Sequence, residues 1–396
     1  MKLNRNSLLI AGSIVALGMT STNASAEVRI NGFASIYGGI TTDSDQDKLF
    51  GYDDDVAFNP ESLFGLQVSA DISEKLTATA QLLARGENDY DADFEWAYLT
   101  YSFNDEMSLS AGRIRIPLFM YSEYLDVGYA YPWARTPQAV YDVNFNNMDG
   151  LRFNYATSLG MWDAELQAVY GKFDGDLNIG GVPTASTLEN FAGLSLDLTY
   201  DWFSVRASYY ATSVTIGADV SAIQPFFALE PEKYNDLVIE EDTGTFGGIG
   251  ATVDYNDWIL GVEWVTYTVD DSIIQTTDAG YVTIGKRFDS STIIYTYSFL
   301  EATNDTSAVS GIPSTLCLAP NPADPTQCAL LARDFVANDV FLAEVENDNH
   351  SVTYRWDFNP AAALKFDYTY KEYSLRDNLP SDDSQGVFTV GVDLVF

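Results

Sequence analysis

Short segments in which apolar and polar residues alternate dominate this sequence of 396 residues. From Phe203 to Thr212, for example, the odd-numbered residues are apolar or aromatic and most even-numbered residues are polar. A β-strand points successive side chains to opposite faces, so this pattern predicts strands with one apolar and one polar face. The same alternation is present in residues 76–85, 162–170, 352–358, 364–370 and 388–396.

Segments of this kind recur along the whole chain after residue 27. The sixteen predicted strands are 28–39, 62–72, 76–85, 94–103, 107–116, 150–157, 161–171, 190–200, 203–212, 247–255, 258–268, 279–288, 292–300, 351–358, 362–371 and 386–396. Alternating segments of about ten residues, separated by turn residues, are typical of a transmembrane β-barrel. An even number of strands also fits a closed antiparallel barrel.

The connections between the predicted strands alternate strictly between short and long. Asp201-Trp202 and Asn256-Asp257 are short, whereas residues 42–61 and 301–350 are long. A soluble sandwich has no reason for this alternation, but an outer-membrane barrel has short periplasmic turns and long extracellular loops. Closure also removes free sheet edges and pairs every backbone group in lipid. We therefore predict an all-β fold, in which residues 27–396 form a single transmembrane antiparallel β-barrel.

The first 26 residues have the pattern of a cleaved secretory signal peptide. Lys2 and Arg5 precede an apolar run from Leu8 to Met19, and Ala24-Ser25-Ala26 supplies the small residues of a cleavage site. The apolar run is shorter than the roughly 20 residues of a membrane-spanning helix. We therefore expect residues 1–26 to be removed during export.

The charge balance argues against nucleic acid as a partner. The chain has 20 Lys+Arg against 57 Asp+Glu, a formal net charge of −37. Binding to nucleic acid rests on neutralising phosphates with basic side chains, which are scarce here. One His and two Cys leave little material for zinc, haem or iron–sulfur sites, so no metal or other cofactor is expected.

Three features resemble the Gram-negative outer-membrane porins. They are the start NGFASIYGG at residues 31–39, the run AGRIRIP at residues 111–117 before a long third loop, and a last strand that ends in Phe396. The resemblance spans the mature chain. It implies a barrel in the outer membrane, usually a homotrimer, that passes small hydrophilic solutes and ions by passive diffusion. Outer-membrane lipid, lipopolysaccharide and the barrel-insertion machinery, which in that family recognises the terminal aromatic residue, are then the expected partners.

In that family the third loop folds inward and narrows the pore, and here it would run from Leu118 to Asp149. Charges that face the lumen select the sign of the permeating ion. The candidates on the wall are arginines at or near strand ends, namely Arg85, Arg113, Arg115, Arg152 and, less directly, Arg206. The charged candidates on the loop are Glu123, Asp126, Arg135 and Asp142.

Two arrangements of these charges stay open at this point. If the strands are neighbours, the arginines face the loop acids across the constriction, as the resemblance implies. Alternatively, each arginine pairs with a nearby wall acid such as Asp163 or Glu165. The sign of selectivity is also open, because clustered arginines favour anions whereas the net negative charge attracts cations. In residues 107–117 the two arginines have odd numbers, like the apolar residues Leu109 and Ala111, so a regular strand would place them all on one face. A bulge at Gly112 would shift the alternation and turn the arginines to the other face.

The third loop lacks the Pro-Glu-Phe-Gly-Gly type tip of the enteric general porins. In its place is an aromatic stretch that contains Tyr129, Tyr131 and Trp133. This departure leaves room for a preferred solute. Such rings either offer a surface to sugars or hydrocarbon or, more often, pin a loop against the barrel wall.

Two cysteines, Cys317 and Cys328, lie in the longest predicted loop. Export places them in an oxidising compartment, where a disulfide between them is expected.

Two other classes of function remain as alternatives. Some outer-membrane barrels hydrolyse lipid with a Ser and a His, but His350 and Ser351 are adjacent on a predicted strand and point to opposite faces. No enzyme is therefore expected. A surface receptor or structural barrel plugged by its own loops would have bulky apolar residues in its lumen. The predicted lumen faces instead carry Ser, Thr, Asp, Gln and Arg, which favours water inside.

Overall fold

Sixteen antiparallel strands close into one barrel in the computed structural model of this protein, which describes residues 27–42, 48–141, 143, 145–179, 182–219, 221, 224, 234–235, 238–270, 272, 274–303, 345–375 and 383–396. The strands are β1 Val28–Thr41, β2 Leu63–Ser73, β3 Leu76–Arg85, β4 Ala92–Ser102, β5 Met107–Arg115, β6 Asn147–Leu159, β7 Trp162–Ile179, β8 Val182–Tyr200, β9 Phe203–Ile216, β10 Asp242–Tyr255, β11 Trp258–Val269, β12 Thr276–Phe288, β13 Ser291–Thr303, β14 Val345–Asn359, β15 Ala362–Leu375 and β16 Asp383–Val395. Each strand pairs with its neighbours in sequence, and β1 pairs with β16 to close the sheet. The predicted sixteen-stranded antiparallel barrel is confirmed, and every predicted segment overlaps one strand.

The two ends of the barrel differ in their connections, as the sequence predicts. One end, here called the turn end, carries short connections such as the one between β8 and β9. At the other, the loop end, the long connection expected between β7 and β8 is wrong, because the paired strands continue to Ile179 and Val182. The loop end otherwise carries the longer connections. The third of these, residues 116–146 between β5 and β6, is called loop 3. It contains two short 3-10 helices, Ser122–Tyr124 and Gly128–Ala130, and one helix, α1, Gln138–Tyr141.

The alternation in the sequence produces an apolar outer face. On β12, Val282 and Ile284 are exposed, whereas Tyr281 and Thr283, which alternate with them, are buried inside the barrel. Exposed apolar and aromatic side chains continue around the barrel, for example Leu194, Trp258 and Trp356. A closed barrel with such an outer band is the form that spans a lipid bilayer with strands.

No helix among the described residues is long and apolar enough to cross a membrane. Some predictions fall on residues that the structure does not describe. They are the signal peptide at residues 1–26, the loop acid Asp142, and the disulfide between Cys317 and Cys328.

Candidate functional site

Loop 3 lies inside the barrel and is fastened to the wall along its length. Its first residues contact β9, where Arg206 and Tyr210 donate hydrogen bonds to the carbonyl of Pro117 over 2.6 and 2.7 Å. Ser208 of the same strand donates to the carbonyl of Leu118 over 2.8 Å. The loop therefore turns inward as soon as β5 ends.

A buried cluster of four charges joins loop 3 to β3, β4 and β5. Asp126 of the loop accepts hydrogen bonds from Arg85, over 2.8 Å, and from Arg115. Glu95 of β4 accepts from the same two arginines over 3.2 and 2.8 Å. Burial raises the pKa of Asp126, but the two guanidiniums outweigh burial and hold that pKa below its ordinary value. Asp126 is therefore ionised at neutral pH.

A bulge in β4 brings Glu95 into this cluster. Gln81 of β3 pairs with Trp96 and its neighbour Leu82 pairs with Phe94, so Glu95 is the extra residue. As a result Glu95 and Trp96 are both buried, and the guanidinium of Arg115 lies 5.0 Å from the centre of the Trp96 ring.

Arg113 does not join the other arginines. The pairing of β5 with β4 and β6 continues through Gly112 without a shift, so the expected phase break at Gly112 is not a bulge. Arg113 keeps the outward parity and forms an ion pair of 3.2 Å with Asp149, and the two side chains are 45% and 57% exposed. Arg115 is only 4% exposed, because the chain turns inward into loop 3 directly after it.

The remaining two wall arginines also contact acids directly. Arg152 lies 3.5 Å from Glu123 of loop 3, and Arg206 lies 2.7 Å from Asp197 of β8. Glu123 also accepts a hydrogen bond of 2.9 Å from Gln167. The arginines therefore do not face the loop acids across an opening. They touch the acids of the loop and of the wall, although the wall acids are Glu95, Asp149 and Asp197 rather than those that the sequence suggested.

Further around the barrel, Arg135 of loop 3 binds two acids. Its guanidinium donates to Glu61 over 2.6 and 2.7 Å and to Asp367 of β15 over 2.9 Å. Thr369 accepts a further hydrogen bond of 3.0 Å. Arg135 thus connects the loop to β15 and to the connection between β1 and β2.

Lys365 of β15 is the second contact of loop 3 in this part of the wall. It is fully buried, forms an ion pair of 2.8 Å with Asp393 of β16, and donates to the carbonyls of Gly128, Tyr131 and Trp133 over 2.7, 3.0 and 2.5 Å. Each proton of the ammonium group can thus find an oxygen. One lysine therefore holds three residues of the loop.

The aromatic stretch of loop 3 is packed against the wall. The indole of Trp133 donates to Thr283 and Thr296 over 3.1 and 2.8 Å and is buried. Tyr129 donates to the carbonyl of Pro360 at the turn end over 2.8 Å. Tyr131 is buried and donates to the carbonyl of Leu125 over 3.2 Å. Of the two roles considered for these rings, their contacts fit the one in which the rings fix the loop against the barrel wall.

Sequence reasoning missed Glu61, Glu95, Glu263, Lys365 and Asp367 as individual residues. Glu263 of β11 accepts from the backbone N–H of Met120 and the hydroxyl of Tyr141 over 2.9 and 2.5 Å. All but Glu61 lie on strands, and a charged residue on the polar face of a predicted strand is the signal that marks some of them. That signal does not reveal which group each charged residue contacts, because the contacting group lies in a loop that is distant in sequence.

The lumen is less polar than the sequence predicted. Inward-facing wall residues such as Ile114, Met148 and Val169 pack with loop-3 residues such as Phe119 and Val140 in one buried apolar cluster. The predicted lumen of Ser, Thr, Asp, Gln and Arg is therefore wrong for this part of the wall. The reason is that loop 3 occupies the lumen there and packs against apolar side chains.

Two cavities lie on opposite sides of loop 3. One, of about 300 Å³, is at the turn end and is lined partly by Asp163, Glu165 and Asp197. The other, of about 260 Å³, is at the loop end and has a mainly apolar lining that includes Phe191 and Tyr210. Between them, Arg206 and Tyr210 hold the start of loop 3 against β9.

Solved structures of outer-membrane proteins have the same fold. The channel DcaP of Acinetobacter baumannii is 11% identical, with a TM-score of 0.59 over 95% of this chain and 99% of its own. The anion-selective porin of Comamonas acidovorans is 12% identical, with a TM-score of 0.55 over 94% and 100%. OmpT of Vibrio cholerae, in its trimer form, is 12% identical, with a TM-score of 0.54 over 94% and 99%. No protein-family model and no curated protein matches the sequence.

Proposed function

We propose, from the fold that this chain shares with sixteen-stranded outer-membrane porins, that it is an outer-membrane channel for the passive diffusion of small solutes. The loop end then faces the outside of a Gram-negative cell and the turn end faces the periplasm. Residues 1–26 serve as a cleaved signal peptide and residues 27–396 form the single barrel domain. Phe396 acts as the signal for insertion.

The observation that carries this proposal is the path of loop 3 through the lumen. Loop 3 is held to β5 by the buried ion pair between Asp126 and Arg115, and to β15 by hydrogen bonds from the buried Lys365 to its backbone carbonyls. A loop that is fixed in this way narrows a barrel of sixteen strands, which is otherwise wide enough for an aqueous channel. We infer a narrow, solute-preferring channel rather than a wide, general one.

A homotrimer is part of this proposal. The Vibrio cholerae protein with the same fold is described in a trimer form. Trimers expose part of the outer face to neighbouring copies rather than to lipid. Lipopolysaccharide and lipid are the proposed partners of the rest of the outer face, and the insertion machinery is the proposed partner during assembly.

A plugged surface receptor or structural barrel is the second candidate. The apolar cluster around loop 3 favours it, because bulky apolar residues in the lumen are its expected mark. A barrel-embedded hydrolase has less support. His350 contacts Tyr295 through its Nδ1 over 2.8 Å, whereas Ser351 lines a small cavity inside the barrel beside Arg135.

Solute flux through reconstituted protein separates the candidates. Proteoliposomes would be loaded with polymer and diluted into isosmotic solutions of neutral sugars of increasing size. The channel proposal predicts swelling rates above those of empty liposomes that fall steeply with sugar size. Heat-modifiable migration would verify that the reconstituted protein is folded. If folded protein gives the swelling rate of empty liposomes for every sugar and carries no KCl current, the channel is rejected in favour of the plugged barrel.

A further inference from the structure

The cavity at the loop end is built from apolar side chains of loop 3 and of strands β7 to β12. Its volume is about 260 Å³, and its lining includes Phe145 of loop 3, Leu188 and Phe191 of β8, and Phe246 of β10. Among the described residues that line it, none carries a charge, in a chain with a formal net charge of −37. An apolar cavity of ~150 Å³ is already large enough to take up benzene.

A bulge in β8 creates much of this lining. The pairing of β8 with β9 shifts between Glu189 and Ala192, so strict alternation is interrupted there. As a consequence, Leu188 and Phe191 both face inward and are buried, whereas Leu196 faces outward and is 40% exposed. The bulge thus places two apolar side chains on a lumen face where alternation would place one.

Aromatic rings form the walls of the cavity. Phe191 stacks on Tyr210 with 5.5 Å between ring centres, and Phe145 meets Phe191 edge-on at 6.3 Å. The row of rings continues along the wall, where Phe246 lies 6.1 Å from Tyr210 and stacks on Tyr267 at 6.5 Å. Rings in these arrangements offer both faces and edges to a further ring, which favours aromatic ligands over aliphatic ones.

The floor of the cavity is the contact that holds loop 3 to β9. Tyr210 lines the cavity and donates to the carbonyl of Pro117, which Arg206 also binds. Arg206 in turn pairs with Asp197, which lines the polar cavity at the turn end. A solute that arrives from the loop end is therefore in the apolar cavity before it meets the charged groups beyond loop 3.

We propose that this cavity is a binding site for uncharged aromatic molecules of one or two fused rings. In the proposed channel it is the first binding site that a solute meets on entering from the loop end. This role in transport rests on the proposed function, whereas binding to the cavity does not. Shedding water from both the ring and the apolar lining drives binding. Thr212 and Thr277 at the lining supply hydroxyl groups for a polar substituent on the ring.

Binding of 2-naphthol to the protein in lipid nanodiscs tests the proposal. Equilibrium dialysis against empty nanodiscs of the same lipid removes the contribution of partitioning into lipid. The wild-type protein is expected to bind one 2-naphthol per chain with saturation. Leu188→Trp fills the cavity and should weaken binding at least tenfold, whereas Leu196→Trp changes the same residue type on the lipid-facing side of the same strand and should leave it within twofold.

Three results would overturn the site. They are binding to wild type that does not saturate, no binding above that of empty nanodiscs, and equal binding by the two tryptophan variants. Should Leu188→Trp not fold, Leu188→Ala enlarges the cavity instead. It should raise the affinity for the three-ring compound 9-phenanthrol at least threefold, and an unchanged affinity would equally overturn the site.

Current measurements on the same preparations separate this proposal from the channel itself. KCl conductance without saturable 2-naphthol binding would reject the site and leave the channel intact. Saturable binding without any conductance or solute flux would support the site and reject the channel.

Discussion

Asp126 of loop 3 lies between two arginines that come from different strands, Arg85 and Arg115. All three side chains are largely removed from water, and Glu95 balances the second positive charge. Removing one partner of a buried ion pair commonly costs about 3–5 kcal/mol, because a charge is left buried and uncompensated. Single residues at this cluster should therefore decide whether loop 3 stays on this wall.

Substitution of Arg115 is expected to release loop 3 from the β3–β5 wall. Arg115→Ala leaves Asp126 and Glu95 to share Arg85, so the loop should move and the lumen should gain negative charge. Single-channel conductance should rise, and the reversal potential in a KCl gradient should shift toward cation preference. Arg113→Ala is the matched control two residues away, and its exposed ion pair predicts wild-type currents.

Protonation of Asp126 should release the same contact at low pH. In the folded protein the pKa of Asp126 lies below that of an ordinary aspartate. The ion pair therefore stabilises loop 3 fully at any pH above the ordinary aspartate pKa, and this stabilisation is lost as the pH falls through the lower pKa of the folded protein. Conductance should therefore show no step from this group between about pH 8 and pH 4, and should rise below about pH 4. Asp126→Asn should remove that acid step. A step of the same size in Asp126→Asn would assign it to another group.

The strands were predictable from periodicity, and the inward fold of the third loop was expected from the resemblance to porins, but the contacts that hold loop 3 were not predictable. A period of two along the chain is enough to define a strand with one apolar face, which is why all sixteen were found. The path of loop 3 depends on contacts with residues far away in sequence, such as Trp133 with Thr296 and Gly128 with Lys365. Bulges at Glu95 and after Glu189 also escape a period-two pattern, because they interrupt it by one or two residues.

Gly128 is a position where loop 3 touches the wall too closely for a side chain. A Cβ atom there would lie 2.2 Å from the carboxylate of Asp393 and 2.7 Å from the hydroxyl of Ser35. Gly128→Ala should push the loop off β1 and β16 and lower the melting temperature or raise conductance. Gly247→Ala is the control, since its nearest neighbour atom would be 3.6 Å away. Equal behaviour of the two variants would contradict the described packing of loop 3.

At the scale of the whole molecule, closure joins the two ends of the described barrel. The backbone of Gly32 on β1 exchanges two hydrogen bonds with Phe396, of 2.7 and 2.9 Å. The Phe396 ring lies directly over Gly32 and 6.0 Å from the ring of Phe64. The even number of predicted strands was enough to predict closure. The close contact of Phe396 with Gly32 could not be predicted, because it depends on the register in which β1 pairs with β16.

Phe396→Ala is expected to impair assembly of the barrel. It removes the ring that covers the closing pair of strands, so the folded fraction after refolding into lipid should fall, as measured by heat-modifiable electrophoresis. Phe288→Ala removes another exposed aromatic ring at the turn end, away from the closing strands, and should refold like wild type. Loss of folding in both variants alike would show that Phe396 has no special role.

The central claim is that loop 3 sets the passage through this barrel, and single-channel current tests it most directly. Wild type would be compared with a variant freed on both walls, Asp126→Asn combined with Lys365→Met, in planar bilayers with symmetric KCl. We predict small, uniform wild-type steps and conductance at least twofold larger in the variant, with retained heat-modifiable folding. Identical currents from the folded variant and wild type would contradict the claim.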